Sequence, residues 1–156
     1  MSHDPGLQQL LDQFANSIGL ENLQLNEDGL CAVRFSGAIT VEMCADGNRL
    51  LLYSDCGPVQ LGGEAHLYPE LLQANLFWQS THGGTLSITD DSPPRVILAV
   101  QYEWAHLTAV QFEGLVEHFV DTAEKWIKRL HNMGNEPAEF VDPASPSPAR
   151  WDMLRG

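Results

Sequence analysis

Residues 30–55, LCAVRFSGAITVEMCADGNRLLLYSD, predict three consecutive β-strands joined by two tight turns. Apolar and polar side chains alternate with the period of two that is typical of a half-buried strand. Asp46-Gly47 is a strong hairpin signal, and Ser36-Gly37 marks the earlier turn, so neighbouring strands should be antiparallel. The predicted strands are 30–35, 39–45 and 49–55.

The third of these strands is apolar on both faces, over the run Leu50 to Tyr53. A strand that faces water on one side normally alternates, so this run is expected to be covered on both sides, with a partner protein as one candidate cover.

Helices and two further strands flank this unit. The first helix follows Asp4, the second is predicted over 69–80 with Pro69 at its first position, and the last begins at a Thr108–Gln111 capping box. Strands are predicted at 86–88 and 95–104. The order α-β-β-β-α-β-β-α lacks a repeating βαβ rhythm, which indicates an α+β domain with a mainly antiparallel sheet. The second helix carries more apolar residues than one buried stripe needs, so it is predicted to be enclosed or to form an interface.

Composition narrows the function classes. The 156 residues include 8 Lys and Arg against 21 Asp and Glu, a formal net charge of −13. Such acidity argues against nucleic-acid binding and against an anionic membrane surface, both of which need clustered cations. No apolar run is long enough for a membrane span, and no secretory signal is evident. Three widely spaced cysteines are typical of reduced thiols in a cytoplasmic protein.

Composition changes after His131. Residues 1–131 are predicted to form one domain, and 132–156 a Pro-rich, disordered tail that holds four of the nine prolines. The large apolar residues of this tail could form a short docking motif or belong to a frayed end; they are Phe140, Trp151, Met153 and Leu154.

Recognisable catalytic chemistry is missing. No metal-binding histidine spacing, nucleophile elbow or phosphate loop occurs, so no catalytic residue, metal site or cofactor is predicted. One row of carboxylates on the last helix is interpreted as its solvated face: Glu113, Glu117, Asp121 and Glu124. A small hydrolase using these carboxylates as metal ligands, or Cys31 as a nucleophile, is the remote alternative.

The chain resembles the Tir-chaperone (CesT-like) family of type III secretion chaperones. Four stretches carry the resemblance, in the family's order and spacing: LQQLLDQFANSIGL leading into LQLNEDGLCAVRF, then LLLYSDCG, then PELLQANLFWQSTHGGTLSI, and finally FVDTAEKWIKRL. Together they span about residues 5–130. The Pro-rich tail departs from the family pattern.

The resemblance implies a cytoplasmic bacterial homodimer with three helices on a strongly twisted sheet, acting without a cofactor or ATP. Its partner would be the N-terminal segment of a secreted effector, bound in extended form with strand pairing at a sheet edge. The secretion ATPase or sorting components would be further partners. A same-fold adaptor or regulator of the secretion system is the main alternative.

Two sets of residues follow from this resemblance. The predicted dimer interface comprises Leu72, Leu76, Phe77, Trp78, Leu86 and Ile88. The predicted effector-binding residues are Leu7, Leu11, Phe14, Val33, Phe35 and Val41. For each residue of both sets, ordinary packing in the core is the alternative.

Overall fold

The computed structural model describes residues 4–135. The tail predicted to begin at residue 132 starts later, because the last helix continues to Asn135, and the rest of the predicted tail, 136–156, lies outside the described residues. The α+β order predicted from sequence is confirmed. Its elements are α1 (Pro5–Ser17), β1 (Leu30–Phe35), β2 (Ile39–Asp46), β3 (Arg49–Pro58), α2 (Glu64–Ala74), a 3₁₀ turn (Leu76–Trp78), β4 (Thr85–Ile88), β5 (Arg95–Glu103), a second 3₁₀ turn (Trp104–His106) and α3 (Ala109–Asn135).

The five strands form one antiparallel sheet in the order β1-β2-β3-β5-β4. β1 and β4 are therefore the two edges, and the apolar β3 lies at the centre, where both of its neighbours hydrogen-bond to it. Adjacent residues of a strand point to opposite faces. One sheet face carries buried side chains such as Met43, Leu52 and Leu98, and it packs against the helices.

Helices α1 and α3 form the layer over this inner face. Phe14 of α1 and Phe112 of α3 meet edge to face with ring centroids 5.0 Å apart, and both rings are buried. The predicted capping box begins α3: the Gln111 backbone N–H donates to Thr108 Oγ1, and the Thr108 N–H donates to Gln111 Oε1.

The second helix differs from its prediction. It runs from Glu64 to Ala74 rather than over 69–80, and Pro69 lies inside it rather than at its first position. Buried Leu67 and Leu71, four residues apart, hold the helix on the core, so its packing face begins before the proline. Pro69 is on the exposed side, where water can satisfy the carbonyl that the missing N–H leaves free.

An ion pair fixes α2 relative to α3. The Arg129 guanidinium donates from Nη2 and Nε to the two carboxylate oxygens of Glu70, at 2.6 and 3.0 Å. This bidentate contact orients the end of α2, where the apolar residues predicted for an interface are found.

Candidate functional site

A cluster of exposed apolar side chains lies where α2 ends and β4 runs beside it. We call it the aromatic patch: Leu72, Leu76, Phe77, Trp78 and Ile88. Their exposed fractions run from 41% for Ile88 to 73% for Leu72. These are five of the six residues predicted for a dimer interface. The sixth, Leu86, is 4% exposed, and its side chain belongs to the core.

The backbone itself turns the aromatic patch outward. Phe77 and Trp78 adopt φ values of 56° and 55°, in the left-handed region that bulky residues rarely occupy. Two hydrogen bonds hold this conformation: the Gly83 N–H donates to the Trp78 carbonyl at 2.9 Å, and Trp78 Nε1 donates to Thr85 Oγ1 at 3.3 Å. The strained turn ends the helical packing face and leaves two aromatic rings in water.

Side chains cap the β4 edge beside this patch. The Asn75 amide bonds both backbone groups of Leu86, accepting from its N–H at 2.8 Å and donating to its carbonyl at 2.9 Å. Thr81 does the same at Gly84: its carbonyl accepts from the Gly84 N–H, and its hydroxyl donates to the Gly84 carbonyl at 2.6 Å. Gly84 and Leu86 are successive outward-facing positions, and among the outward-facing residues of β4 itself only Ile88 is left without such a cap. The β4 edge therefore offers little backbone to another strand.

The β1 edge is more open. In β1, residues whose backbone groups bond β2 alternate with residues whose backbone groups face away from the sheet. The Ala45 N–H donates to the Gly29 carbonyl, so Gly29 and every second residue after it bond β2. Leu30, Ala32 and Arg34 therefore point their backbone groups away from the sheet. Asn26 occupies those of Leu30, through its side chain and its backbone N–H. Ala32 and Arg34 remain available for an added strand, as far as residues 4–135 are concerned.

Sequence reasoning did not identify this difference between the two edges. Asn75 directly after a helix and Thr81 before Gly83-Gly84 are the only sequence signals for the capped edge. Side chains of Asn and Thr often satisfy backbone groups, but sequence alone does not say which backbone they meet.

The structure places most of the predicted effector-binding residues in the core. The buried ones are Leu7, Leu11, Phe14, Val33 and Val41, each exposed by 2% or less. Phe35, at the end of β1, is half-buried and packs against the same core. In this conformation the five offer no side-chain surface to a partner, so the core alternative describes them. They hold α1 and the first hairpin in place, and their role in effector binding stays a prediction.

The second sheet face carries no helix from residues 4–135. Its central side chains, among them Leu51, Tyr53 and Ile97, are half-buried. The sequence predicts that the third strand is covered on both sides, and within residues 4–135 helices cover one side. A shallow depression of about 450 Å³ opens on this face. Its lining residues are Ala38, Thr40, Glu42, Tyr53, Asp55, Arg95 and Ile97.

The remote alternative, a small hydrolase, needs either a metal site or a reactive cysteine, and the described residues give little support for either. No cluster of three or more His, Cys, Asp and Glu side chains in residues 4–135 could hold a metal ion. Burial, with a smaller effect of Glu42, raises the pKa of the Cys31 thiol to about 11. Burial, with a smaller effect of Asp55, raises that of Cys56 to about 12. Both thiols are therefore protonated at neutral pH and are poor nucleophiles.

The raised thiol pKa predicts a loss of stability in alkali. Above pH 9 the Cys56 thiol ionises in the unfolded chain but stays protonated in the folded one, so the unfolded state binds fewer protons and gains population as pH rises. Between pH 9 and 12 this group alone should lower the free energy of unfolding by roughly 1 kcal/mol per pH unit. Urea unfolding of Cys56→Ala should show a shallower alkaline decline than the unaltered chain. Equal slopes would contradict the prediction. Slopes are compared because the substitution also changes the free energy of unfolding by an amount that does not depend on pH.

Comparison with known proteins identifies the family. The model of the Tir chaperone protein (CesT) family matches residues 9–127, which is most of the chain. The protein belongs to this family. The resemblance to the Tir-chaperone (CesT-like) family inferred from the sequence is thereby confirmed.

Individual CesT-family relatives show the same relationship. The transcriptional anti-antiactivator ExsC of Pseudomonas aeruginosa is 32% identical over 126 residues, covering 78% of this chain and 83% of ExsC. A Tir chaperone of Escherichia coli is 27% identical over 126 residues, covering 80% of each chain. A crystal structure of the ExsC–ExsE complex superposes with a TM-score of 0.69 at 27% identity, covering 83% of this chain and 97% of the matched one. These relatives bear the names of chaperones and of a transcriptional regulator, not of enzymes.

No helix within residues 4–135 has the length and apolar character needed to cross a membrane.

Proposed function

We propose that this CesT-family protein is a cytoplasmic type III secretion chaperone. As a homodimer, it binds the N-terminal segment of one or more secreted effectors and keeps that segment soluble and competent for export. The observation that carries the proposal is the unequal treatment of the two sheet edges: β4 is capped beside an exposed apolar patch, whereas β1 offers free backbone groups.

The aromatic patch is the proposed dimer interface. Exposing five large apolar side chains to water is unfavourable in free energy, and contiguous apolar surface of this kind marks an association site. In a two-fold dimer the same patch of each copy meets its counterpart, so a self-complementary apolar surface is what such an interface requires. The capped β4 edge lets the two copies meet through side chains without merging their sheets.

The β1 edge is the proposed site of strand addition by the effector. An extended segment beside it would bond the backbone groups of Ala32 and Arg34 without regard to the segment's sequence, which suits a chaperone with unrelated clients. The net charge of −13 would attract basic client segments and keep the loaded complex in solution.

Co-expression tests the proposal. The protein is co-expressed with N-terminal segments of effectors encoded near its gene, and the purified complexes are analysed by size-exclusion chromatography with light scattering. We expect a free mass of twice 17.3 kDa and a complex of two chaperone chains with one segment. Failure of every such segment to co-purify would contradict the proposal.

An Ala32→Pro variant examines the β1 edge with such a client. Proline removes the N–H of residue 32, and this N–H points away from β2, so the sheet keeps its own hydrogen bonds. Loss of one intermolecular hydrogen bond should weaken client binding roughly tenfold, measured by isothermal titration calorimetry. Ala32→Val is the matched control because it keeps the N–H, and it should bind as the unaltered protein does. Equal affinity of all three would place the client elsewhere.

A regulatory role in the secretion system is the second candidate. It is favoured by the 32% identity to ExsC, which is named as a transcriptional anti-antiactivator. In that role the same surfaces would bind a regulatory protein. A deletion strain separates the two roles, since loss of effector export with unchanged transcription of secretion genes supports the chaperone, and loss of that transcription supports the regulator.

A further inference from the structure

The helix-free face of the sheet, here called the outer face, is more apolar than solvent contact requires. Leu51 and Tyr53 of β3 and Ile97 of β5 lie at its centre, and all three are half-buried. The depression of about 450 Å³ lies over Tyr53 and Ile97. Neither the aromatic patch nor the β1 edge uses this face, so the proposed dimer and client contacts leave it open.

Charge on the rim of the depression is uneven. Arg95 is held by the carboxylate of Asp55, with 2.5 Å between Nε and Oδ2. Glu42 stands on the neighbouring strand β2, and no Lys or Arg of residues 4–135 forms an ion pair with it. The depression therefore combines a mainly polar lining with two large half-buried side chains, Tyr53 and Ile97, and with an excess of negative charge. This suits a segment that carries apolar and cationic side chains together.

The chain leaves the described domain close to this face. A Cβ placed on Gly134, in the last turn of α3, would lie 3.2 Å from the Gln60 side chain. Gln60 comes two residues after Pro58, and Pro58 pairs with Arg95 at the rim of the depression. The end of α3 thus lies at the end of the sheet where the depression opens, although α3 itself packs on the inner face.

The sequence that follows has the required chemistry. Residues 150–155 read RWDMLR and combine two arginines with Trp151, Met153 and Leu154. Residues 1–135, by contrast, hold 6 Lys and Arg against 17 Asp and Glu. The 14 residues from 136 to 149 can span up to about 46–50 Å when extended, more than twice the roughly 20 Å across five strands that lie about 4.8 Å apart.

We propose that residues 150–155 of the protein's own tail dock on the outer face, with Trp151 over the depression and an arginine beside Glu42. A tethered segment meets its site at an effective concentration in the millimolar range, so even weak contacts keep it bound. The proposal does not depend on client binding. In this proposal the outer face is covered by residues 150–155 of the same chain.

Fluorine NMR of the full chain labelled with 5-fluorotryptophan tests this contact. The Trp151→Phe variant assigns the Trp151 resonance, and a spectrum in urea gives its position without contacts. We expect the native Trp151 resonance to differ from the urea position. Ile97→Lys, which places a cation in the depression, should return it to that position. Arg150→Glu/Arg155→Glu should do the same, and its changes lie outside residues 4–135.

Two matched variants and an internal reference control the experiment. Val110→Lys adds the same charge at an exposed site on α3 and should leave the Trp151 resonance in place. The resonance of buried Trp126 reports whether each variant is folded. A Trp151 resonance already at the urea position in the unaltered chain would overturn the proposal and leave the face to a client or a second copy. Release of Trp151 by Leu76→Lys but not by Ile97→Lys would overturn it too, by placing the tail on the aromatic patch.

Discussion

A Leu76→Glu/Phe77→Glu variant is expected to elute as a 17.3 kDa monomer, whereas the unaltered protein should elute at twice that mass. Both side chains are more than half exposed within one chain, so the substitution leaves the core intact. In a two-fold interface each glutamate faces the apolar patch of the other copy. Four carboxylates would then be buried without partners, at a cost of several kcal/mol each, which exceeds what this patch can offset.

Val110→Glu is the control for this experiment. Val110 is 80% exposed on α3, outside the aromatic patch, and its replacement adds charge without touching the proposed interface. This variant should remain a dimer at the same protein concentration. If the double variant also stays dimeric, the interface lies elsewhere, and if the unaltered protein is a monomer, the homodimer itself is wrong.

Much of the sheet could be predicted because its signals are local. The Asp46-Gly47 turn and the alternation on either side of it set the hairpin between β2 and β3, and the structure has that pairing. The sequence misplaces the second helix, because Pro69 is a residue typical of the first helical position. Tertiary packing of Leu67 and Leu71 outweighs that local preference, since burial of two leucines is worth several kcal/mol.

For the candidate site, too, local features could be predicted from the sequence and features that depend on tertiary packing could not. Residues of the aromatic patch could be identified because an excess of apolar side chains on one helix is visible in sequence. The capped edge could not, because Asn75 meets Leu86 eleven residues away, and that contact depends on how α2 docks against β4. The left-handed backbone at Phe77 is equally hidden, since nothing in a phenylalanine predicts positive φ.

The predicted effector-binding set shows where sequence reasoning reaches its limit. An amphipathic helix has the same apolar stripe whether that stripe covers its own core or receives a partner. In α1 the stripe faces α3, so Phe14 meets Phe112 instead of solvent. Which use a stripe serves depends on whether another element of the same chain reaches it.

Phe14→Ala is therefore expected to destabilise the protein strongly while leaving the binding surfaces of the folded chain unchanged. The ring is 1% exposed, and its removal leaves a cavity beside Phe112, so the free energy of unfolding should fall by about 3–5 kcal/mol. Urea unfolding at a fixed protein concentration measures this loss, because dimerisation makes stability depend on concentration. Phe35→Ala, at a half-buried position on β1, should cost clearly less. Client affinity, measured where Phe14→Ala is still folded, should match that of the unaltered protein. A variant that kept its stability but lost its client would instead make Phe14 a direct contact, and α1 would then have to move away from α3 when an effector binds.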